Sequence, residues 1–203
     1  MQEAGVPGPA PEQKQPQTIE APAVTEEKRK RRVRGLITLL KDKNLNYRWH
    51  AAEMLGTERD SEAVGPLIEA LRDPYVDVQW LAAKSLGQIG DIRALEPLLE
   101  ATTSEEKWLR AGAAWGLGKL RDPRAVDRLL FLLKDKKVRV RREAAWALGS
   151  IADNRAVPGL MAALSDPDGS VREAVQKALA AMGTETTVTK NASGSPESTG
   201  TGQ

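Results

Sequence analysis

The chain has 203 residues, a formal net charge of +2 and no cysteine. Without cysteine, a disulfide framework, thiolate metal sites and cysteine nucleophiles are all excluded. No apolar run approaches the roughly 20 residues that span a bilayer, and the sequence therefore predicts a soluble, cytoplasmic protein.

The two ends of the chain differ in composition from the middle. Residues 1–24 are rich in proline and glutamine, and residues 184–203 are mostly threonine, serine and glycine. Neither segment can bury enough apolar surface to offset the entropy that ordering costs. We therefore expect two disordered tails, 1–24 and 184–203, flanking a folded domain at 25–183.

The folded domain repeats one segment five times at an interval of 31 residues. The units align without a gap and comprise residues 33–63, 64–94, 95–125, 126–156 and 157–183. Position 23 is leucine in every unit, and position 24 is glycine in all but the last, which has Ala180. A period of roughly 20–50 residues is typical of solenoids, in which each repeat buries its apolar face against its neighbours.

Each unit begins with the pattern of a short helix, here called helix A. Positions 4, 5 and 8 are apolar in nearly every unit, which marks one face of a helix. Proline often occupies position 2 or 3, where only the first turn of a helix tolerates it, so helix A begins near position 1. In unit 1, Thr25, Glu26 and Glu27 resemble an N-cap with an acidic first turn and predict an earlier start.

A second helix, helix B, follows turn residues at positions 10–13. Its apolar positions are 15, 19, 22, 23 and 26, and a glycine at position 27, such as Gly90 or Gly183, suits a left-handed end. Small residues at positions 19, 20 and 24 predict close approach of successive B helices. The sequence therefore predicts an all-α fold, an α-solenoid of five two-helix repeats.

One stretch of unit 4 carries a family resemblance. Residues 140–151, Val-Arg-Arg-Glu-Ala-Ala-Trp-Ala-Leu-Gly-Ser-Ile, followed by 153–156, resemble the HEAT-like repeats first associated with phycobilin lyases. The resemblance implies the solenoid fold, and members of the family include protein-binding scaffolds, chromophore lyases and a metal-dependent hydroxylase. Arg142-Glu143 and Arg172-Glu173 stand where the hydroxylase branch requires His-Glu pairs, so the resemblance implies no such metal centre here.

The tryptophans are predicted to lie together on the outward face of helix B. On a helical wheel this face is opposite the apolar stripe, and it holds positions 14, 17 and 21. The five rings at these positions are Trp49, Trp80, Trp108, Trp115 and Trp146. Because B helices line the concave side of a solenoid, we expect an aromatic groove, unless long side chains from neighbouring units cover the rings.

Polar side chains accompany the tryptophans on this face. The candidate groove residues are His50, Lys84, Lys119 and Arg142, and unit 4 adds a basic patch of Lys134, Lys136, Lys137, Arg139 and Arg142. Arginine recurs at position 16 in four units, and this regularity favours a structural role between adjacent repeats.

No catalytic or metal-binding arrangement is evident in the sequence. His50 is the only histidine, and there is no phosphate loop, dinucleotide fingerprint or Ser-His-acid combination. We therefore expect a non-enzymatic, monomeric protein that needs no cofactor and binds a protein or peptide in the groove. Two alternatives stay open: a nucleic-acid binder that uses the tryptophans and the basic patch, and a protein that handles a chromophore as phycobilin lyases do.

Overall fold

The structure is a computed structural model that describes residues 26–184. Within that range the chain forms ten α-helices, two in each unit, and no strand. The A helices are α1 (Glu26–Leu39), α3 (Val64–Ala70), α5 (Leu95–Ala101), α7 (Val126–Leu132) and α9 (Val157–Ala163). The B helices are α2 (Leu45–Glu58), α4 (Val76–Ile89), α6 (Lys107–Leu120), α8 (Val138–Ile151) and α10 (Gly169–Ala181). The predicted all-α solenoid is confirmed.

The helix boundaries follow from capping residues that recur in each unit. The A helices of units 2 to 5 begin at position 1, as predicted, and a single 3-10 turn precedes each of them. That turn is capped by an aspartate at position 28, for example Asp91, whose carboxylate accepts a hydrogen bond from the backbone N–H of Arg93. Helix α1 starts earlier, at Glu26. The predicted cap Thr25 lies outside the described residues, as do the predicted N-terminal tail 1–24 and residues 185–203 of the predicted C-terminal tail. Thr184, assigned to the tail from sequence, still hydrogen-bonds the carbonyl of Leu179.

The B helices of units 1 to 4 end in a left-handed residue at position 27. Gly90 has the φ of 77° that the sequence suggested, but Arg59, Arg121 and Ala152 adopt the same conformation at 51°, 54° and 58°. Glycine is therefore not obligatory there. The N–H of the residue at position 27 donates a hydrogen bond to the carbonyl four residues earlier. Gly90, Arg121 and Ala152 all make this bond, so it forms whether or not the residue is glycine.

Successive B helices pack against one another along the whole array. Each A helix packs chiefly against the B helix of its own unit, so the B helices form one continuous layer. The close approach predicted for position 24 is confirmed: a Cβ added to Gly87 would lie 2.6 Å from the Cα of Gly116, and one added to Gly149 would lie 2.6 Å from the Cα of Ala178. The B layer is therefore packed more closely than the A layer.

The core lies between the two layers. The position-23 leucines Leu55, Leu86, Leu117, Leu148 and Leu179 are completely buried. On the last B helix, Gln176 and Ala180 are exposed where earlier units bury alanine and glycine. This exposure confirms that unit 5 is the end of the described array.

Arginine at position 16 joins neighbouring units at three of the four junctions. Its guanidinium binds the aspartate at position 10 of the next unit, in the pairs Arg48–Asp73, Arg110–Asp135 and Arg141–Asp166, with Nε–Oδ2 distances of 2.7, 2.8 and 2.7 Å. The same guanidinium donates to a carbonyl in its own A–B turn. We call this arrangement the Arg–Asp clamp. It confirms the structural role predicted for the arginines.

The clamp also perturbs the aspartates. The hydrogen bond from Arg141 holds the pKa of Asp166 below its ordinary value, against an opposing effect of burial. Burial raises the pKa of Asp135, but the hydrogen bonds from Arg110 and from the Lys137 N–H outweigh it, and the pKa is lowered. Both carboxylates are therefore held in the charged form.

The junction between units 2 and 3 has no clamp, because both of its positions are substituted. Gln79 stands at position 16, and Ser104 stands at position 10 of the next unit. The Gln79 Nε2 donates to the carbonyl of Asp73, but its Oε1 is buried and has no partner among the described residues. A cavity of about 220 Å³ lies at the same junction, lined by Leu71, Ser104 and Leu109 among others. Arginine and aspartate are thus replaced together.

Candidate functional site: the B-helix surface

The tryptophans all lie on the B helices, at the unit positions that the helical wheel selected, but they differ in exposure. Trp49 and Trp108 are exposed, at 39% and 38% of their full surface. Trp80, Trp115 and Trp146 are half-buried. We call the side chains at unit positions 14, 17, 18, 21 and 25 the B-helix surface.

Glycines of helix α6 explain why two of the rings are half-buried. Trp80 lies over Gly112, where an added Cβ would be 2.9 Å from the indole Cδ1, and Trp146 lies over Gly118, where the distance to Cζ3 would be 2.7 Å. Both indoles also pack against the core. The expectation that all the rings face fully outward is correct only in part, because each recess left by a glycine is filled by the tryptophan of a neighbouring unit.

Lysines bridge the rings of neighbouring units. The Nζ of Lys84 lies 4.5 Å from the centroid of Trp80 and 5.4 Å from that of Trp115. The Nζ of Lys119 lies 5.0 and 5.5 Å from the centroids of Trp115 and Trp146, which stack on each other at 5.7 Å with 10° between their planes. The result is a continuous strip of Trp80, Lys84, Trp115, Lys119 and Trp146, which we call the Trp–Lys strip.

Unit 4 contributes two arginines to the same surface. The guanidinium of Arg139 lies 4.9 Å from the centroid of Trp108 and 5.9 Å from that of Trp80. Glu143 is the carboxylate partner of both Arg139, at 3.9 Å, and Arg142, at 3.2 Å. One acidic group is thus shared by two basic groups, which leaves this part of the surface positive.

The predicted basic patch of unit 4 is divided between two places. Arg139 and Arg142 lie on helix α8 and face the tryptophans, whereas Lys134, Lys136 and Lys137 are exposed in the turn between α7 and α8. Asp135, in the middle of that turn, is bound by Arg110. Neighbours in the sequence therefore do not form one continuous basic surface.

A cavity of about 760 Å³ lies at the C-terminal end of the B-helix surface. Its lining includes Trp146, Arg142, Lys177 and Arg121. Sequence reasoning missed Arg121 because the helical wheel describes only helical positions, and this residue follows helix α6 in a left-handed conformation. Arginine at position 27 in two units, Arg59 and Arg121, could have indicated a further role for this position, but the sequence pattern was interpreted there only as a helix cap.

The unit 1 end of the surface is less connected. His50 is exposed beside Trp49, and Trp49 takes part in none of the ring contacts found within the described part of the chain. Between residues 26 and 184 no group of three or more histidine, aspartate or glutamate side chains could hold a metal ion. In the same range, no helix has the length and apolar character needed to cross a membrane.

Solved structures with the same fold include natural and designed proteins. The complex of CpcE and CpcF of phycocyanin lyase from Nostoc sp. PCC7120 contains a chain that is 26% identical, with a TM-score of 0.67 over 86% of this chain and 70% of that one. An engineered protein is 24% identical, with a TM-score of 0.59 over 74% of this chain and 79% of that one. A designed armadillo repeat protein in complex with the peptide (KR)4 is 21% identical, with a TM-score of 0.56 over 77% and 86%.

Comparison with curated proteins gives no match. A family model described as HEAT repeats matches residues 33–110 and 95–180, which together cover most of the chain, and both matches begin at the first residue of a unit. With its paired helices and packed B layer, the chain belongs to the HEAT-repeat family.

Proposed function

We propose that the B-helix surface binds a segment of another protein and that the chain is a non-enzymatic scaffold. The observation that carries this proposal is the exposure of Trp108 at one side of the Trp–Lys strip. Tryptophan is enriched among residues that dominate binding energy at protein interfaces, and exposed aromatic patches mark interaction sites. In this proposal the chain acts as a monomer in the cytoplasm and needs no cofactor.

The fold supports the proposal. The B helices form one continuous layer, and we infer that this layer is the concave surface that a curved solenoid offers to a ligand. A designed armadillo repeat protein of the same fold was solved with the peptide (KR)4 bound. Within the present chain, the cavity of about 760 Å³ between units 3 and 5 gives a bound segment room beside Trp146.

Affinity capture with matched aromatic variants tests the proposal. Trp108→Ala removes an exposed ring from the B-helix surface, and Phe131→Ala removes a ring that is 68% exposed on helix α7, in the A layer. A hot-spot residue costs about 2 kcal/mol or more when truncated, so the Trp108 variant should lose its captured partner while the Phe131 variant keeps it. Because both rings are exposed, both variants should melt within a few degrees of the unsubstituted chain.

Two outcomes would refute the proposal: capture that survives Trp108→Ala, or capture that both variants lose equally. Trp80 and Trp146 are unsuitable for this test, because each fills the recess over a glycine. Removal of either ring would create a cavity and lower stability, and a loss of binding would then be ambiguous.

Chromophore handling is a second candidate, favoured by the similarity to a chain of the CpcE and CpcF complex. The 760 Å³ cavity is within the size range of small-molecule sites, which is about 300–1,000 Å³. Titration with a linear tetrapyrrole distinguishes the two candidates. Under the scaffold proposal its absorption spectrum stays unchanged, whereas a spectral shift on addition of the protein would favour chromophore handling.

A further inference from the structure

The charged groups of the B-helix surface are unevenly paired. Within the described residues, Lys84, Lys119 and Arg121 have no carboxylate within 4.0 Å, and Arg139 and Arg142 share Glu143. The acidic groups are either paired, as Glu173 is with Lys177 at 2.6 Å, or lie nearer the unit 1 end, as Glu53 and Asp77 do. A surplus of positive charge therefore surrounds the stacked tryptophans of units 3 and 4.

The two bridging lysines are held in place before any ligand arrives. Lys84 and Lys119 lie 5.4 and 5.0 Å from the centroid of the same ring, Trp115, and cation–π attraction holds both ammonium groups near it. A side chain that is already positioned loses less conformational entropy on binding than a free one. The ammonium groups are thus prepared to receive two anionic groups along the strip.

Resting on the proposed function, we infer that the segment bound by the B-helix surface is an extended acidic peptide, whose carboxylates pair with Lys84 and Lys119. In an extended chain, side chains two residues apart lie on one side and about 7 Å from each other. Two such carboxylates can meet both lysines, with the apolar atoms between them against Trp115, the ring that both lysines contact. Charge-assisted hydrogen bonds of this kind are about twice as strong as neutral ones.

The arrangement favours a peptide over single-stranded nucleic acid. Bases bind by stacking on free aromatic faces, but Trp115 and Trp146 stack on each other and lysines lie over them. A nucleic acid also needs a continuous row of cations for its phosphates. Here Glu53 and Asp77 interrupt the row at the unit 1 end, and the three turn lysines of unit 4 lie away from the tryptophans.

Selection of displayed random peptides on the full chain tests the inference. We expect the retained peptides to be enriched in aspartate and glutamate spaced two residues apart. A resynthesised peptide should lose at least about tenfold in affinity when its glutamates become glutamine, and Lys84→Gln or Lys119→Gln in the protein should cause a similar loss. Tryptophan fluorescence reports binding directly, because the ligand would contact Trp115 and Trp146.

Lys134→Gln is the matched control, because it removes the same charge from an exposed lysine in the turn between α7 and α8, away from the tryptophans. It should leave affinity unchanged. Retained peptides that bind through Trp108 but show no acidic enrichment would overturn this inference and leave the proposed function intact. Recovery of no peptide would overturn both. A single-stranded oligothymidylate that binds more tightly than the acidic peptides and is released by Lys84→Gln would identify nucleic acid as the ligand class.

Discussion

Two junctions place equivalent helices in contact but are held together differently. One lies between units 3 and 4, and the other lies between units 2 and 3. The first has the Arg–Asp clamp between Arg110 and Asp135 at the end of the B helix. The second has Gln79 and Ser104 at the same two positions, with a buried amide oxygen that has no partner among residues 26–184, and a small cavity. Both partners of the clamp are therefore absent at the second junction.

The unclamped junction is packed as closely as the clamped ones. Gly87 of α4 meets Gly116 of α6, where any added Cβ would collide with backbone, and Trp80 covers Gly112 of the same helix. At the clamped junction of units 3 and 4, a Cβ added to Gly118 would likewise lie 2.7 Å from the Cα of Ala147, and Trp146 covers that glycine. Close packing is therefore common to both junctions, and the ion pair is what distinguishes them. Since a repeat contacts only its neighbours, the residues at one junction can change without altering the packing at the others.

The largest expected effect distinguishes the two junctions directly. Arg110→Ala should lower the free energy of unfolding by about 3 kcal/mol, because it leaves the Asp135 carboxylate, only 10% exposed, without its charged partner. Gln79→Ala at the equivalent place should cost less than about 1 kcal/mol, since that side chain makes one hydrogen bond. Urea unfolding of both variants measures the difference. Equal losses would show that the clamp contributes nothing special.

Transfer of the clamp to the unclamped junction should have a smaller, opposite effect. The double variant Gln79→Arg with Ser104→Asp should raise the free energy of unfolding by about 1 kcal/mol, because it adds a bidentate pair and removes an unpaired amide oxygen. Either substitution alone should be neutral or destabilising, since it partly buries one unpaired charge. A double-mutant cycle measures the coupling. Additive effects of the two substitutions would mean that the new side chains do not meet.

The smallest expected effect is a dependence on pH. Asp135 and Asp166 have pKa values lowered by their arginines, so the folded state binds protons less readily than the unfolded state. Their contribution to stability is therefore present above about pH 4, the ordinary aspartate pKa, and is lost as the pH falls through that value toward the folded pKa. Melting temperatures measured across this range should fall less steeply for Asp166→Asn than for the unsubstituted chain. Parallel curves would contradict the assignment.

Much of the fold could be predicted because it repeats. Five copies show which residues recur at each position. The recurring leucines, glycines and arginines form the core, the B-helix contacts and the clamp. The candidate site was less predictable, since a helical wheel describes one helix without its neighbour. It placed Trp80 correctly at position 17 but contained no information on Gly112 in the next unit. The lysine bridges and the division of the basic patch depend on the same contacts between units.

The left-handed backbone of Arg121 has a consequence for how the groove can change. At position 27, Gly90 and Gly183 adopt positive φ without steric penalty, whereas an arginine does so at a cost on the order of 1 kcal/mol. Glycine in place of Arg121 would relieve that strain and, in the same step, remove a cation from the cavity beside Trp146. Selection for a more stable chain and selection for a more positive groove therefore act in opposite directions on this one residue.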